Sequence, residues 1–165
     1  MTYNLTMNVQ ETYRALVEAF VDQFGDRLQM IVLFGSRSRD EARAESDHDI
    51  FVVIEGLPQD PLQRQREVMA PLLPKLTELP ERLSVIAKTP EELHADVTPL
   101  LVDVCTDGIA IYGESQFEML RDQVLQALRA SGMERQRIGG AWMWLFPTRP
   151  ERDWELTWEG YRESV

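Results

Sequence analysis

Apolar and polar positions along this chain predict strands that alternate with helices. Apolar residues recur at helical spacing between residues 13 and 24, and Gly25 is placed to end that helix. The nearly continuous apolar run Leu28–Phe34 predicts a strand that is buried on both faces. Further strands are predicted over Asp47–Glu55, over Arg82–Lys88, where apolar positions alternate, and over Ile109–Tyr112.

Capping signals place the helices between these strands. A capping box pairs a Ser, Thr or Asn with a Glu three residues later, and three such pairs occur. Asp60-Pro61 predicts the start of another helix, which Pro71 and Pro74 must kink or divide. The pattern predicts an α/β or α+β protein: a small mixed sheet of about four strands flanked by helices. The three capping pairs are Asn8 with Glu11, Thr89 with Glu92, and Ser115 with Glu118.

The chain changes character after Gly132. Its 165 residues fit one domain with a tail, and we expect a domain over residues 1–132 and an aromatic C-terminal tail over residues 133–165. All four tryptophans lie in that tail. Because exposed apolar surface usually means contact, we expect the tail to pack on its own domain or to bind a partner. The tryptophans are Trp142, Trp144, Trp154 and Trp158. Trp142 and Trp144 alternate as in a strand, and Pro147 and Pro150 are expected to break regular structure after it.

Charge and composition exclude several classes of function. A net charge of -11 does not fit the basic surface that binding of long nucleic acids needs. That charge either keeps the protein soluble or favours a basic partner. No apolar run is long enough to cross a bilayer, no signal peptide is recognisable, and a single cysteine, Cys105, fits a reducing compartment. We therefore expect a cytoplasmic protein with no membrane association and a buried Cys105.

The segment between the first two strands contains the candidate chemistry. Gly35 and Ser36 follow the first strand directly, and a glycine lets the backbone approach a phosphate closely. Asp47 and Asp49 are two residues apart, so on a strand both carboxylates point to one face. Paired carboxylates together with substrate phosphates are typical ligands of Mg²⁺. Each part alone is a weak signal, because Gly-Ser and Asp-x-Asp pairs are common.

Joined in this order, with strands on both sides, these parts resemble the Gly-Ser…Asp-x-Asp signature of the polymerase-β-like nucleotidyltransferase superfamily. The compact chain is most similar to its minimal nucleotidyltransferase branch, over about Leu28–Gly113. The resemblance implies transfer of a nucleotide from ATP or another NTP to a hydroxyl. It assigns the triphosphate to Gly35 and Ser36, and one or two Mg²⁺ ions to Asp47 and Asp49. The catalytic candidates are therefore Ser36, Asp47 and Asp49.

Arginines follow Ser36 closely, and their charge suits a triphosphate. Arg37 and Arg39, with Gly35 and Ser36, form the candidate nucleotide-binding set, and Arg43 is a further candidate. His48 stands between the two aspartates, so on a regular strand it faces away from them and is expected to be structural. His94 is expected to be a surface residue.

Active members of this superfamily usually have a third carboxylate on a later strand. In the matching segment Arg82–Pro90 of this chain, that position is Ser84. A serine cannot serve as a carboxylate base, and loss of a general base typically costs about 10²–10⁴-fold in rate.

Two functions remain open on this evidence. The resemblance implies an Mg²⁺-dependent adenylyltransferase that modifies a partner protein, as the antitoxin of a HEPN-domain RNase toxin. Ser84, the acidic charge and the aromatic tail also permit a binding module that neutralises a partner by contact alone. Transfer to a small molecule is disfavoured, because family members that do this generally carry an extra substrate-binding domain.

Overall fold

A computed structural model describes residues 9–39, 41–43, 45–146 and 153–163. The predicted cap at Asn8 and the breaks predicted at Pro147 and Pro150 lie outside these ranges. No helix in the described ranges is long and apolar enough to cross a membrane.

A four-stranded mixed sheet forms the centre of the fold. Its strands are β1 (Leu28–Phe34), β2 (His48–Ile54), β3 (Leu83–Lys88) and β4 (Ile109–Tyr112), and they lie in the order β3-β2-β1-β4. β1 pairs antiparallel with both β2 and β4, whereas β2 and β3 are parallel. The predicted fold class and strand number of this sheet are confirmed.

The α-helices that connect and cover the strands are α1 (Arg14–Phe24), α2 (Pro61–Met69), α3 (Pro90–Ala95), α4 (Pro99–Asp107) and α5 (Glu114–Ser131). α1 ends at Phe24, directly before Gly25, as predicted. α2 continues into a 3-10 helix over Ala70–Glu78, which is how the chain accommodates Pro71 and Pro74. The capping box of Thr89 and Glu92 is present at the start of α3.

The start of α5 differs from the prediction. Its N-terminal cap is Gly113 in the left-handed region, with no side-chain capping bond, and the helix already includes Ser115. A Cβ on Gly113 would lie 2.1 Å from the carbonyl oxygen of Gln29. The close approach of this backbone to β1 therefore requires a glycine, and the helix is capped two residues earlier than the polar pattern predicted.

Each face of the sheet has its own apolar core. Alternate residues of β1 and β2 point to opposite faces, as the strand period requires. One face packs on α1, the 3-10 helix and Tyr13, with Ile31 and Ile50 at its centre. The other face, which carries Val32 and Phe51, packs on α4 and α5. Cys105 lies fully buried in this second core, as expected, and burial raises the pKa of its thiol to about 12.

Two hairpins follow α5. The first pairs β5 (Glu134–Ile138) with β6 (Ala141–Leu145), and the second pairs β7 (Trp154–Thr157) with β8 (Gly160–Glu163). β6 agrees with the predicted alternation of Trp142 and Trp144, whereas the sequence pattern did not predict β5, β7 and β8. Trp144 and Trp158 pack against the core that α4 and α5 cover, and the indole nitrogen of Trp158 donates to the carbonyl of His94 at 2.9 Å.

Candidate functional site

The turn after β1 brings Gly35 against the carboxylate of Asp49. Phe34 pairs with Asp49 across β1 and β2, so the first residue of the turn faces the start of β2. A Cβ on Gly35 would lie 2.6 Å from Oδ2 of Asp49, and the backbone has a φ of +77° there. Steric space and backbone conformation both require a glycine at this position.

Asp49 and Asp47 are close enough to influence each other. Asp49 lies on the sheet face that α4 and α5 cover, since Phe51 and Val53 of the same parity pack there. Burial, followed by the charge of Asp47, raises the pKa of Asp49. Desolvation and a like charge both disfavour the ionised form, so a cation between the two carboxylates would relieve the unfavourable energy.

Ser84 lies next to Asp49 on the neighbouring strand. The parallel register of β2 and β3 pairs Asp49 with Ser84. Ser84 shares its side of β3 with Ile86, which packs on the same core as Phe51. The hydroxyl therefore lies on the face that carries Asp49, at a position from which a longer acidic side chain could approach it. Asp47 directly precedes β2.

Local hydrogen bonds stabilise the backbone of the turn. Gly35–Arg37 forms one turn of 3-10 helix, and the Ser38 hydroxyl donates to the Gly35 carbonyl at 2.8 Å. The amide of Glu41 donates to the Ser36 carbonyl at 3.0 Å. These bonds hold the turn beside the aspartates.

Arg37 connects the turn to the segment that leads into β2. Its Nε and Nη2 donate to the Ser46 carbonyl at 3.1 and 2.7 Å, just before β2. Arg37 also helps to lower the pKa of His48. In this structure its guanidinium thus fixes the segment before Asp47.

Arg39 lies between two carboxylates. Its Nε donates to Glu41 at 2.9 Å, and its Nη1 lies 3.7 Å from Oδ2 of Asp107, the last residue of α4. Among the described residues, Nη2 has no hydrogen-bond partner. Arg39 therefore has Nη2 available for a phosphate oxygen. Among the described residues, Nη1 of Arg37 and the exposed guanidinium of Arg43 also have no hydrogen-bond partner. The backbone amide of Arg43 donates to the Ser46 hydroxyl at 2.9 Å.

A tyrosine and a histidine support the site from the opposite sheet face. The hydroxyl of Tyr13 and Nδ1 of His48 are 2.6 Å apart. Burial is the main cause that lowers the pKa of His48, and burial also raises the pKa of Tyr13 to about 12. His48 is therefore packed, as its position between the aspartates predicted. The sequence pattern assigned Tyr13 to an apolar helix face and gave no signal for this bond.

The donor set of Asp47 and Asp49 fits a hard divalent cation. Both donors are carboxylates, they interact electrostatically, and Asp47 is exposed to solvent. The described residues contain no group of three or more His, Cys, Asp or Glu side chains that could hold a metal ion. Two carboxylates together with substrate phosphates suit Mg²⁺ better than a metal that is held by the protein alone.

A cavity of about 660 Å³ lies away from these aspartates, between α4, α5 and the two hairpins, with Trp144 and Trp154 in its walls. A smaller cavity of about 360 Å³ adjoins the turn, and Arg39, Arg135 and Trp142 contribute to its lining.

The chain is similar in sequence to known nucleotidyltransferases. Residues 16–117 match the family described as polymerase beta, nucleotidyltransferase. MJ1305 of Methanocaldococcus jannaschii, provisionally assigned as a protein adenylyltransferase, is 30% identical over 96 residues. That match covers 58% of this chain and 65% of the relative, so the chain spans less than two thirds of the relative's length.

A solved structure shares the fold. A crystal structure of a toxin–antitoxin complex with AMP-PNP superposes with a TM-score of 0.51 at 23% identity, and covers 70% of this chain and 86% of the matched chain. A structure of a tri-AMPylated Shewanella oneidensis HEPN toxin with its MNT antitoxin gives a TM-score of 0.49 at 20% identity, and covers 73% and 87% of the two chains.

Proposed function

Because this chain belongs to the polymerase beta, nucleotidyltransferase family, we propose that it is an Mg²⁺-dependent protein adenylyltransferase. It transfers AMP from ATP to a hydroxyl of a partner protein: the hydroxyl oxygen attacks the α-phosphate, and pyrophosphate leaves. The observation that carries this proposal is the contact of Gly35 with Asp49, beside Asp47. This contact joins a turn that can hold a phosphate to carboxylates that need a cation.

Each residue of the site has a role in this proposal. Gly35 and Ser36 hold the triphosphate through the backbone of the turn, and Arg39 offers its Nη2 to a phosphate oxygen. Asp47 and Asp49 hold Mg²⁺, which neutralises phosphate charge when it is bound. Arg37 keeps the segment before Asp47 in place through the Ser46 carbonyl. Catalysis then depends on position and charge neutralisation rather than on a covalent intermediate.

The acceptor in this proposal is a HEPN-domain RNase toxin, and the protein acts as its antitoxin in the cytoplasm. The shared fold with a toxin–antitoxin structure and the assignment of the M. jannaschii relative support a protein acceptor. The net charge of -11 favours a basic partner over nucleic acid.

Labelling can test this function directly. The purified protein is incubated with a HEPN-domain RNase, Mg²⁺ and ATP that is labelled on the α-phosphate. We expect label on the RNase, and loss of that label in the Asp47→Ala/Asp49→Ala variant. The matched control is Asp22→Ala/Asp26→Ala, which removes two exposed carboxylates near the start of β1, whereas Gly35 follows its end.

A second candidate function is neutralisation by contact without transfer. The register that places Ser84 beside Asp49 favours it, because a serine there supplies neither a base nor a strong Mg²⁺ ligand. In that case no label is transferred, and the Asp47→Ala/Asp49→Ala variant still inhibits the RNase. If the wild-type protein labels the RNase and the variant neither labels nor inhibits it, neutralisation by contact alone is excluded.

A further inference from the structure

The first C-terminal hairpin contacts two acidic residues beside the candidate nucleotide-binding turn, although the hairpin lies outside the family match at residues 16–117. Two arginines of β5 contact the same two carboxylates that flank Arg39. Arg135 donates to both oxygens of Asp107, through Nη1 at 2.9 Å and through Nη2. Arg137 lies 3.9 Å from Glu41.

The charges in this cluster are nearly balanced. Arg39, Arg135 and Arg137 face Asp107, Glu41 and the nearby Asp103. Burial raises the pKa of Asp103, while Arg39 and Arg135 act to lower it, so these charges lie within electrostatic range of one another. Trp142 supports the arrangement, because the guanidinium carbon of Arg135 lies 4.4 Å from the centre of its ring.

Asp107 has two arginine partners of unequal strength. Its contact with Arg135 is bidentate, whereas its contact with Arg39 is a single approach of 3.7 Å. Since Arg135 takes most of the negative charge of Asp107, Arg39 keeps positive charge that would otherwise be neutralised within the protein. A bidentate arginine pair also has defined geometry, so it fixes where the Asp107 carboxylate lies.

We propose that Arg135 is a positioning residue for nucleotide binding: it occupies Asp107 and thereby leaves Arg39 available to the triphosphate. This inference rests on the proposed function, because it requires that Arg39 contacts ATP. It gives the C-terminal hairpin a role in the site beyond packing. Arg137 acts in the same sense on Glu41, although its longer distance predicts a smaller effect.

Binding of Mg²⁺ and ATP, measured by isothermal titration calorimetry, tests this arrangement. In Arg135→Gln, Asp107 has lost its bidentate partner and interacts more strongly with Arg39. We therefore expect the Kd for ATP to rise about three- to fivefold, the size of effect typical of a partly exposed ion pair. Asp107→Asn in that background removes the competing carboxylate, and it should restore the Kd to near the wild-type value. High salt should reduce the effect of Arg135→Gln.

A role of Arg135 in hairpin packing alone predicts a different result. Asp107→Asn breaks the same ion pair, so both single variants would then weaken binding and their combination would give no rescue. The proposal also requires that Arg135→Gln has no effect on the Kd once Arg39→Gln is present. An equal effect of Arg135→Gln in both backgrounds would overturn it.

A charge control and a folding control distinguish a specific effect of Arg135 on ATP binding from a general loss of charge or of folding. Arg162→Gln removes an arginine that pairs with Glu155 on the second hairpin, so it makes the same change in charge away from Arg39. It should leave the Kd unchanged, and thermal unfolding should show that all variants are folded. Absence of ATP binding by the wild-type protein would overturn both this inference and the proposed function, whereas an unchanged Kd in Arg39→Gln would overturn this inference alone.

Discussion

Replacement of Gly35 by alanine is the most direct perturbation of the candidate site. The added Cβ would lie 2.6 Å from Oδ2 of Asp49, a distance that real Cβ atoms essentially never show. A φ of +77° costs an L-residue about 1–2 kcal/mol in addition. Overpacking typically adds about 1–3 kcal/mol. We therefore expect Gly35→Ala to lower the free energy of unfolding by about 2–5 kcal/mol and to displace the Asp49 carboxylate.

Gly56→Ala separates the two contributions. Gly56 has a φ of +68°, and the nearest atom to an added Cβ is 3.8 Å away, on the side chain of Arg27. This control therefore has the backbone strain without the overlap, and it should cost about 1–2 kcal/mol. Gly56 follows the far end of β2 from Asp49, so this variant should bind Mg²⁺ and ATP like the wild type.

Urea unfolding and calorimetric titration with Mg²⁺ and ATP together measure both effects. Gly35→Ala should be less stable than Gly56→Ala and should lose ATP binding at temperatures where it remains folded. For a chain of this size, about 1 kcal/mol corresponds to a change in Tm of about 2–4 °C. Equal stability of the two variants, or normal ATP affinity in Gly35→Ala, would refute the argument that Asp49 and Gly35 form one site.

Three further predictions follow from other contacts. The pKa of Asp49 is raised in the folded protein above its ordinary value of 3.8, so the folded state holds the proton more tightly than the unfolded state. The free energy of unfolding therefore falls as the pH rises from 3.8 through the raised pKa. Asp49→Asn should therefore have a higher Tm than the wild type at neutral pH, and this difference should vanish below the ordinary pKa; a constant difference across pH would contradict it. Tyr13→Phe leaves Nδ1 of His48 without its 2.6 Å partner, and it should cost about 1–2 kcal/mol in urea unfolding at an unchanged m-value. Ser84→Asp places a carboxylate beside Asp49, and it should increase labelling of the RNase at least about tenfold relative to Ser84→Ala, while equal labelling would show that Ser84 does not limit transfer.

Local signals in the sequence predicted most of the central fold. The apolar runs gave β1 and β2, and the Thr89 capping box gave the start of α3, because each depends on residues a few positions apart. Ser115 failed as a cap because a contact with β1, far away in the sequence, selects Gly113 instead. The strands β5, β7 and β8 are only four or five residues long, so each offers too few positions for its pattern to predict a strand.

The candidate site shows the same division between local and distant contacts. Gly35, Ser36 and the two aspartates could be proposed as a site from the sequence, because they stand close together and their order between two apolar runs carries the resemblance; their roles stay predictions. The ion pair of Arg135 with Asp107 and the bond of Tyr13 to His48 join residues 28 and 35 positions apart. Arginine is common on surfaces, and its partner can be identified only when the fold has brought the two together.

The arginines of the turn give an electrostatic argument for an exogenous cation. Arg37 donates to the Ser46 carbonyl and Arg39 lies against Glu41 and Asp107, and neither is among the influences on the pKa of Asp49. Those influences, burial and the charge of Asp47, both oppose ionisation. Within the described residues, the protein therefore brings two carboxylates together near Gly35 without compensating the charge of Asp49. A fold that keeps such a pair at neutral pH loses stability, and binding of a divalent cation with ATP would recover it through linkage. This energetic imbalance favours the proposed use of Mg²⁺ whether or not Ser84 permits rapid transfer.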